Sequence, residues 1–362
     1  MNRKILNIPY GRKIEDGSCI VQCFELIFKY FGYNISSYTI MGMSECFDVR
    51  YRKMDFKNKI VSEIAINKSW HIEKFLNEKS PMNLQRKSFA SLHEGMKYIY
   101  NAIEQDTPIC VGLNSYHISY CEDYHKRFGG LFESYHMVLV NGYDLEKKEI
   151  YVVDPALDVK EGIIGYDDFY LAWNESRGIK RKYDPYTYYE FTRKEENDFG
   201  IKQYTCMIRE ALDNFRSYYE LSPVEFMGNQ YFQGHLAITS IIDDLGKMDF
   251  GKENYDVSFE SLKNIYDGIF NGVRWIRKSF SLFLNKNVLW ENSRLDTLKE
   301  EYGILFDKWS NIGMKLSIAL KTEKFHNLEK IVLEIRQIQE HEEKLVNGLI
   351  NELNLINKCM TE

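Results

Sequence analysis

The chain has 362 residues, of which 44% are apolar, 15% aromatic and 28% charged. That apolar share excludes a disordered chain, and 6 Pro with 22 Gly exclude a fibrous or linker-like one. A formal net charge of -6 excludes a nucleic-acid grip as the main function, because such a grip needs a concentrated positive stripe, and it fits a cationic substrate. The 7 cysteines share no short repeated spacing, so neither a disulfide scaffold nor a structural zinc site is expected. The first residues lead into no apolar run of signal-peptide length, and no membrane-spanning stretch occurs. The expectation is a reducing, cytoplasmic setting.

In chain order, 19–31 reads as a helix, with Val21, Phe24, Ile27, Phe28 and Phe31 on a recurring apolar face. Ser18 is a suitable N-cap and Gly32 a terminator. A second helix is predicted over 89–103, through Leu92, Met96 and Ile99. Pro108 then opens a strand over 109–113. A polar, aromatic stretch follows over 114–134, and its Gly129-Gly130 pair suggests a loop over the site. Next come an apolar strand over 136–143, a hairpin turn over 144–148 and a strand that ends at Asp154-Pro155. This is an antiparallel ribbon, not a βαβ unit. Residues 186–191 read as a last strand.

From 203 onward the pattern is helical, with spans near 203–220, 229–246, 257–284, 288–318 and 323–358. The charged stretch 193–199 and Gly200 mark a boundary. The expectation is two domains, 1–195 and 196–362, of which the second is all-helical. Its long amphipathic helices permit a homodimer.

Cys19 falls in the first turn of its helix. The unpaired amides and the helix dipole there favour a thiolate, which a cysteine nucleophile requires. Taken alone, a small buried residue at a helix end is an equal reading. His136 starts a strand whose hairpin partner ends at Asp154, and antiparallel neighbours bring such ends together. Asp154 can then hold one ring nitrogen of His136 while the other faces Cys19, the nucleophile–base–orienter arrangement of acyl transfer. No cluster of metal ligands is visible, so no metal is expected.

The stretch Cys19-Ile20-Val21-Gln22-Cys23-Phe24 through Tyr30-Phe31-Gly32 resembles the nucleophile helix of papain-like cysteine enzymes, especially the bacteriocin-processing peptidase type. The runs 136–144 and 153–155 resemble that superfamily's His and Asp strands. A closer resemblance is to the butirosin biosynthesis protein H family, in which a papain-like domain precedes a helical one. The run Pro108 to Tyr120 is similar to that family's stretch before the His, with Tyr116 and Tyr120 kept. Asn114 stands where an acidic residue is usual and Ser119 where Pro is usual. In the helical half, Gly234-His235, Trp309 and Glu342-Glu343 look similar too.

The resemblance implies an α+β fold, a papain-like cysteine-enzyme domain with an antiparallel sheet followed by a helical domain. It implies Cys19 as nucleophile, His136 as base and Asp154 as orienter. It further implies acyl transfer from the phosphopantetheine thioester of an acyl carrier protein to a small-molecule amine, with no other cofactor. Tyr116, His117, Tyr120 and Asn114 are then expected at the substrate, and the basic run 180–182 is a candidate landing point for an acidic carrier. No Gln precedes Cys19 within 12–18, where papain-like peptidases carry one for the oxyanion hole. That departure weakens proteolysis relative to transfer from an activated thioester. A cysteine peptidase or thioesterase using the same three residues remains the alternative, and a non-catalytic carrier-binding module a further one.

Overall fold

The computed structural model describes residues 2–10, 18–44, 49–56, 59–65, 72–122, 124–125, 135–174, 177–178, 181–182, 185–194, 200, 203, 205–206, 209, 212, 218–219, 222–226, 229–286 and 293–359. The chain forms two compact units, each discontinuous in sequence. The first is Met1–Ile40 with His71–Phe199, and the second is Met41–Trp70 with Gly200–Glu362. A single cut between 195 and 196 therefore differs from this grouping by the segments 41–70 and 196–199.

The first unit is built on a seven-stranded antiparallel sheet. Its order is Met82–Ser88, Thr187–Arg193, Ile109–Asn114, Tyr135–Asp144, Glu149–Asp154, Val159–Gly165. Arg3–Ile5 pairs with the far end of Tyr135–Asp144. The strand Ile109–Asn114 is buried at every residue, as its unbroken apolar run requires. Gly112 within it is obligatory: the Tyr135 ring lies on it, and a Cβ there would come within 2.3 Å of ring atoms.

The helix Cys19–Tyr30 buries Ile20 through Phe28. Phe24 packs edge-on against Tyr189 and Phe191 of the sheet, with ring centroids 5.4 and 4.9 Å away. The helix stops because Gly32 takes φ +88°, which lets the Tyr33 amide close on the Phe28 carbonyl at 2.8 Å. Leu92–Glu104 starts on a reciprocal cap: Ser91 Oγ accepts from the Glu94 amide, and Glu94 accepts from the Ala90 amide.

The second unit is not purely helical, which corrects the all-helical expectation. Arg50–Phe56, Lys59–Ala65, Val224–Phe226 and Asn229–Gln233 form a four-stranded antiparallel sheet. Tyr51 and Ser62 from this sheet both donate to Asp244 on the helix Gly234–Lys247. The helix expected from 229 begins only at Gly234. Residues 229–233 are a strand, and Gly234 turns the chain at φ +54° with the Tyr218 carbonyl 2.5 Å from where a Cβ would sit. The span expected over 257–284 is Tyr255–Gly268, one π turn over Ile269–Val273 and Arg274–Lys286. Ser293–Thr322 and Leu328–Cys359 are the two longest helices described. The helix expected over 203–220 lies largely outside the described residues. Among the described residues, no helix is long and apolar enough to cross a membrane.

Candidate active site

Cys19 is the first residue of its helix and is part-exposed. Ser18 occupies the N-cap position with extended backbone, but its side chain makes no capping hydrogen bond. The positive end of the helix dipole therefore acts on the thiol without a competing cap. Cys23, one turn on, is fully buried, with its sulfur 3.6 Å from the Met137 carbonyl oxygen. Burial, and then the neighbouring Cys110, push its thiol well above the ordinary cysteine value. Cys23 is a packing residue.

His136 lies at the start of Tyr135–Asp144, paired with Leu113. The hairpin register sets Leu139 against Val153, so Asp154 at the end of its strand stands beside the beginning of the His136 strand. His136 Nε2 and Asp154 Oδ2 are 2.6 Å apart. The Asp154 side chain is 0% exposed and that of His136 13%. The other carboxylate oxygen, Oδ1, accepts from the amides of Ala156 and Leu157 at 3.1 and 3.2 Å. The turn after Asp154 therefore fixes the carboxylate, and the carboxylate fixes the ring.

The Cys19 thiol is within hydrogen-bonding reach of the same imidazole. With Nε2 facing Asp154, Nδ1 is the nitrogen left for the sulfur. Burial disfavours the imidazolium. The hydrogen bonds to Asp154 and Cys19, and the charges of both, outweigh it and push His136 up to about 10. The ring is thus a proton reservoir next to a thiol.

The four residues expected at the substrate have different fates. Asn114 is 1% exposed, and its Oδ1 accepts from the Tyr116 amide, capping the short turn Ser115–His117. His117 is buried, 4.8 Å from the Tyr116 ring and 6.1 Å from that of His125. Tyr116 is half-buried and borders both histidines. Tyr120 is half-buried, with its hydroxyl end enclosed beside Asp154. The loop glycines at 129–130 and Lys180 of the basic run lie outside the described residues. Ala156 and Leu157, through their amides, and Gly162, against whose Cα the Tyr120 ring packs, are new to the site. The Asp-Pro turn was the sequence signal for the first two, and a glycine inside a strand was the signal for the third.

A cavity of ≈ 660 Å³ opens in the same unit, lined among others by Tyr10, Asn141, Tyr151, Val153 and Lys160. None of Cys19, His136 and Asp154 lines it. Among the described residues, no group of three or more His, Cys, Asp or Glu is arranged to hold a metal ion.

Residues 18–155 match the family model described as butirosin biosynthesis protein H, N-terminal. Over this stretch the chain is similar to that family's N-terminal domain. The match starts at the residue before Cys19 and ends at the residue after Asp154. It also spans 41–70, the segment that groups with the second unit. No curated protein matches the chain.

Proposed function

We propose that the chain is a cysteine-dependent acyltransferase, taking an acyl group from a thioester and delivering it to an amine. One observation carries this reading. A part-exposed thiol at a helix N-terminus meets an imidazole whose other nitrogen is bonded to a buried carboxylate that two amides hold in place. The matched family, named for butirosin biosynthesis, supports a setting in specialised metabolism.

In the resting site, Cys19 is a thiolate and His136 an imidazolium. Cys19 Sγ attacks the thioester carbonyl carbon, and the bond from that carbon to the donor sulfur breaks. His136 gives its proton to the departing thiolate and becomes neutral. The amine nitrogen then attacks the acyl-enzyme carbonyl, and His136 takes the ammonium proton as the carbon–Sγ bond breaks. An amide leaves and the ion pair returns. The Cys19 amide is one donor for the oxyanion in both steps. Because a thioester is already activated, the cycle needs no ATP. A phosphopantetheine thioester on an acyl carrier protein is the donor we favour, and a cationic small molecule such as an aminosugar the acceptor.

The test is intact mass after incubation with acyl-N-acetylcysteamine thioesters. An adduct on the wild type and none on Cys19→Ala is expected. Added amines should discharge the adduct as amides faster than water does. Discharge by water alone makes the chain a thioesterase or peptidase. No adduct, with Cys19 no more reactive to a general thiol reagent than the exposed Cys206, overturns the enzymatic reading.

A further inference from the structure

Asp154 must keep one orientation if His136 is to present Nδ1 to Cys19. Its two amide contacts both go to Oδ1, whereas Oδ2 faces His136. A carboxylate oxygen accepts more than one hydrogen bond, so Oδ2 has capacity for a second donor. Val152 and Asp154 are two apart on one strand and share a face of the sheet. The Tyr120 ring is pressed against that face. A Cβ placed on Gly162 would lie 2.9 Å from Tyr120 Cε1 and 2.8 Å from Val152 Cγ2. Gly162 pairs with Val152, and Asp154 pairs with Val159, whose Cγ1 is 3.2 Å from the same point. The missing side chain at Gly162 is what gives the ring its seat.

The Tyr120 hydroxyl is buried and makes no hydrogen bond to any described protein group. Burial raises its pKa most, and the charge of Asp154 comes next, ahead of Cys121 and Cys23. A buried hydroxyl left unpaired is costly, and the adjacent carboxylate is the acceptor that relieves it. We infer that Tyr120 is a positioning residue, whose hydroxyl donates to the Asp154 carboxylate and holds the Asp154–His136 pair at the angle Cys19 requires. It is then a support behind the three reacting groups rather than the substrate contact that family resemblance implies. The inference rests on the acyl-transfer reading of Cys19, His136 and Asp154.

The experiment uses the full chain and two readouts. The first is the rate of Cys19 alkylation by iodoacetamide as a function of pH, in the wild type, His136→Ala and Tyr120→Phe. The second is kcat and KM with an acyl-N-acetylcysteamine donor. Tyr120→Phe keeps the ring and removes the hydroxyl. It should move the midpoint of Cys19 ionisation upward by about one unit. It should lower kcat about tenfold with KM unchanged. Gly162→Ala displaces the ring while keeping the hydroxyl, and should move the midpoint in the same direction. An increase in KM alone in Tyr120→Phe makes the residue a substrate contact and overturns the inference. So does a Tyr120→Phe profile equal to a wild-type profile that itself depends on His136. If the wild-type profile has no His136-dependent step, the acyl-transfer reading fails, and the Tyr120 role falls with it.

Discussion

Each unit buries an ion pair, and the two pairs differ in what they leave uncommitted. In the second unit, Arg277 Nε and Nη2 reach the two oxygens of Glu342 at 2.8 and 2.7 Å. Trp309 Nε1 adds a third bond to Glu342 at 2.7 Å, and the paired side chains are only 3% and 1% exposed. In the first unit, Asp154 is just as buried, but its partner is an imidazole with a second nitrogen. That nitrogen meets a part-exposed thiol. Burial and charge pairing are common to both, so they do not mark a catalytic site. The proposed catalytic reading rests instead on an imidazole with one nitrogen held by a carboxylate and the other left for a thiol.

The largest expected effect breaks the closed pair. Glu342→Gln leaves the Arg277 charge buried without its counter-ion, at a cost of about 3–5 kcal/mol. Replacing both partners, Arg277→Met with Glu342→Leu, should recover part of that stability, because an apolar pair of similar volume needs no desolvation while the buried Trp309 indole N–H loses its acceptor. Thermal melts read both outcomes. If Glu342→Gln melts like the wild type, the pair is not a structural closure and the contrast with His136–Asp154 is lost.

The next effect is on chemistry. His136→Ala removes both the acid and the base, and acylation of Cys19 by a thioester should slow by about 10²–10⁴-fold. Its melting temperature should fall less than that of Glu342→Gln, because Asp154 keeps the Ala156 and Leu157 amides. Stopped-flow acylation and a melt on the same sample measure the two halves of this statement.

A smaller effect comes from pH. His136 is raised from the ordinary histidine value of 6.5 to about 10. A raised value means that the stability of the imidazolium is fully present below 6.5 and is lost as pH rises through about 10. Iodoacetate, an anion, is attracted by the imidazolium, whereas neutral iodoacetamide is not. The ratio of their alkylation rates at Cys19 should therefore fall several-fold as pH passes about 10. A flat ratio would mean that His136 carries no charge beside the thiol.

Most of the candidate site's geometry was legible because its determinants are local. Apolar spacing and Gly32 delimit the Cys19 helix, and the 144–148 turn joins the strands of His136 and Asp154. The pairing of Arg50–Phe56 with Asn229–Gln233 was not legible, because no local pattern names a partner so far along the chain. That pairing is what draws strand structure into a half whose periodicity reads as helix. Residues 229–233 followed the sheet rather than their neighbours, and Gly234 is where the two preferences meet. Asn114 teaches the same lesson on a smaller scale. The family resemblance puts Asn114 at the substrate; that its side-chain oxygen also caps a turn is visible only once the Tyr116 amide is placed.

The smallest effect sharpens the comparison by separating stability from chemistry within one unit. Ser91 caps Leu92–Glu104 through the Glu94 amide, away from the three reacting groups. Ser91→Ala should cost about 1 kcal/mol, read as a lower melting temperature. If the His136–Asp154 geometry is set locally by the Ala156 and Leu157 amides, the pH profile of Cys19 alkylation should not move in this variant. A shifted profile would show that the angle of the imidazole depends on the stability of the whole sheet unit. The uncommitted nitrogen would then be a property of the fold at large, and the distinction between a closed pair and a poised one would be a matter of degree.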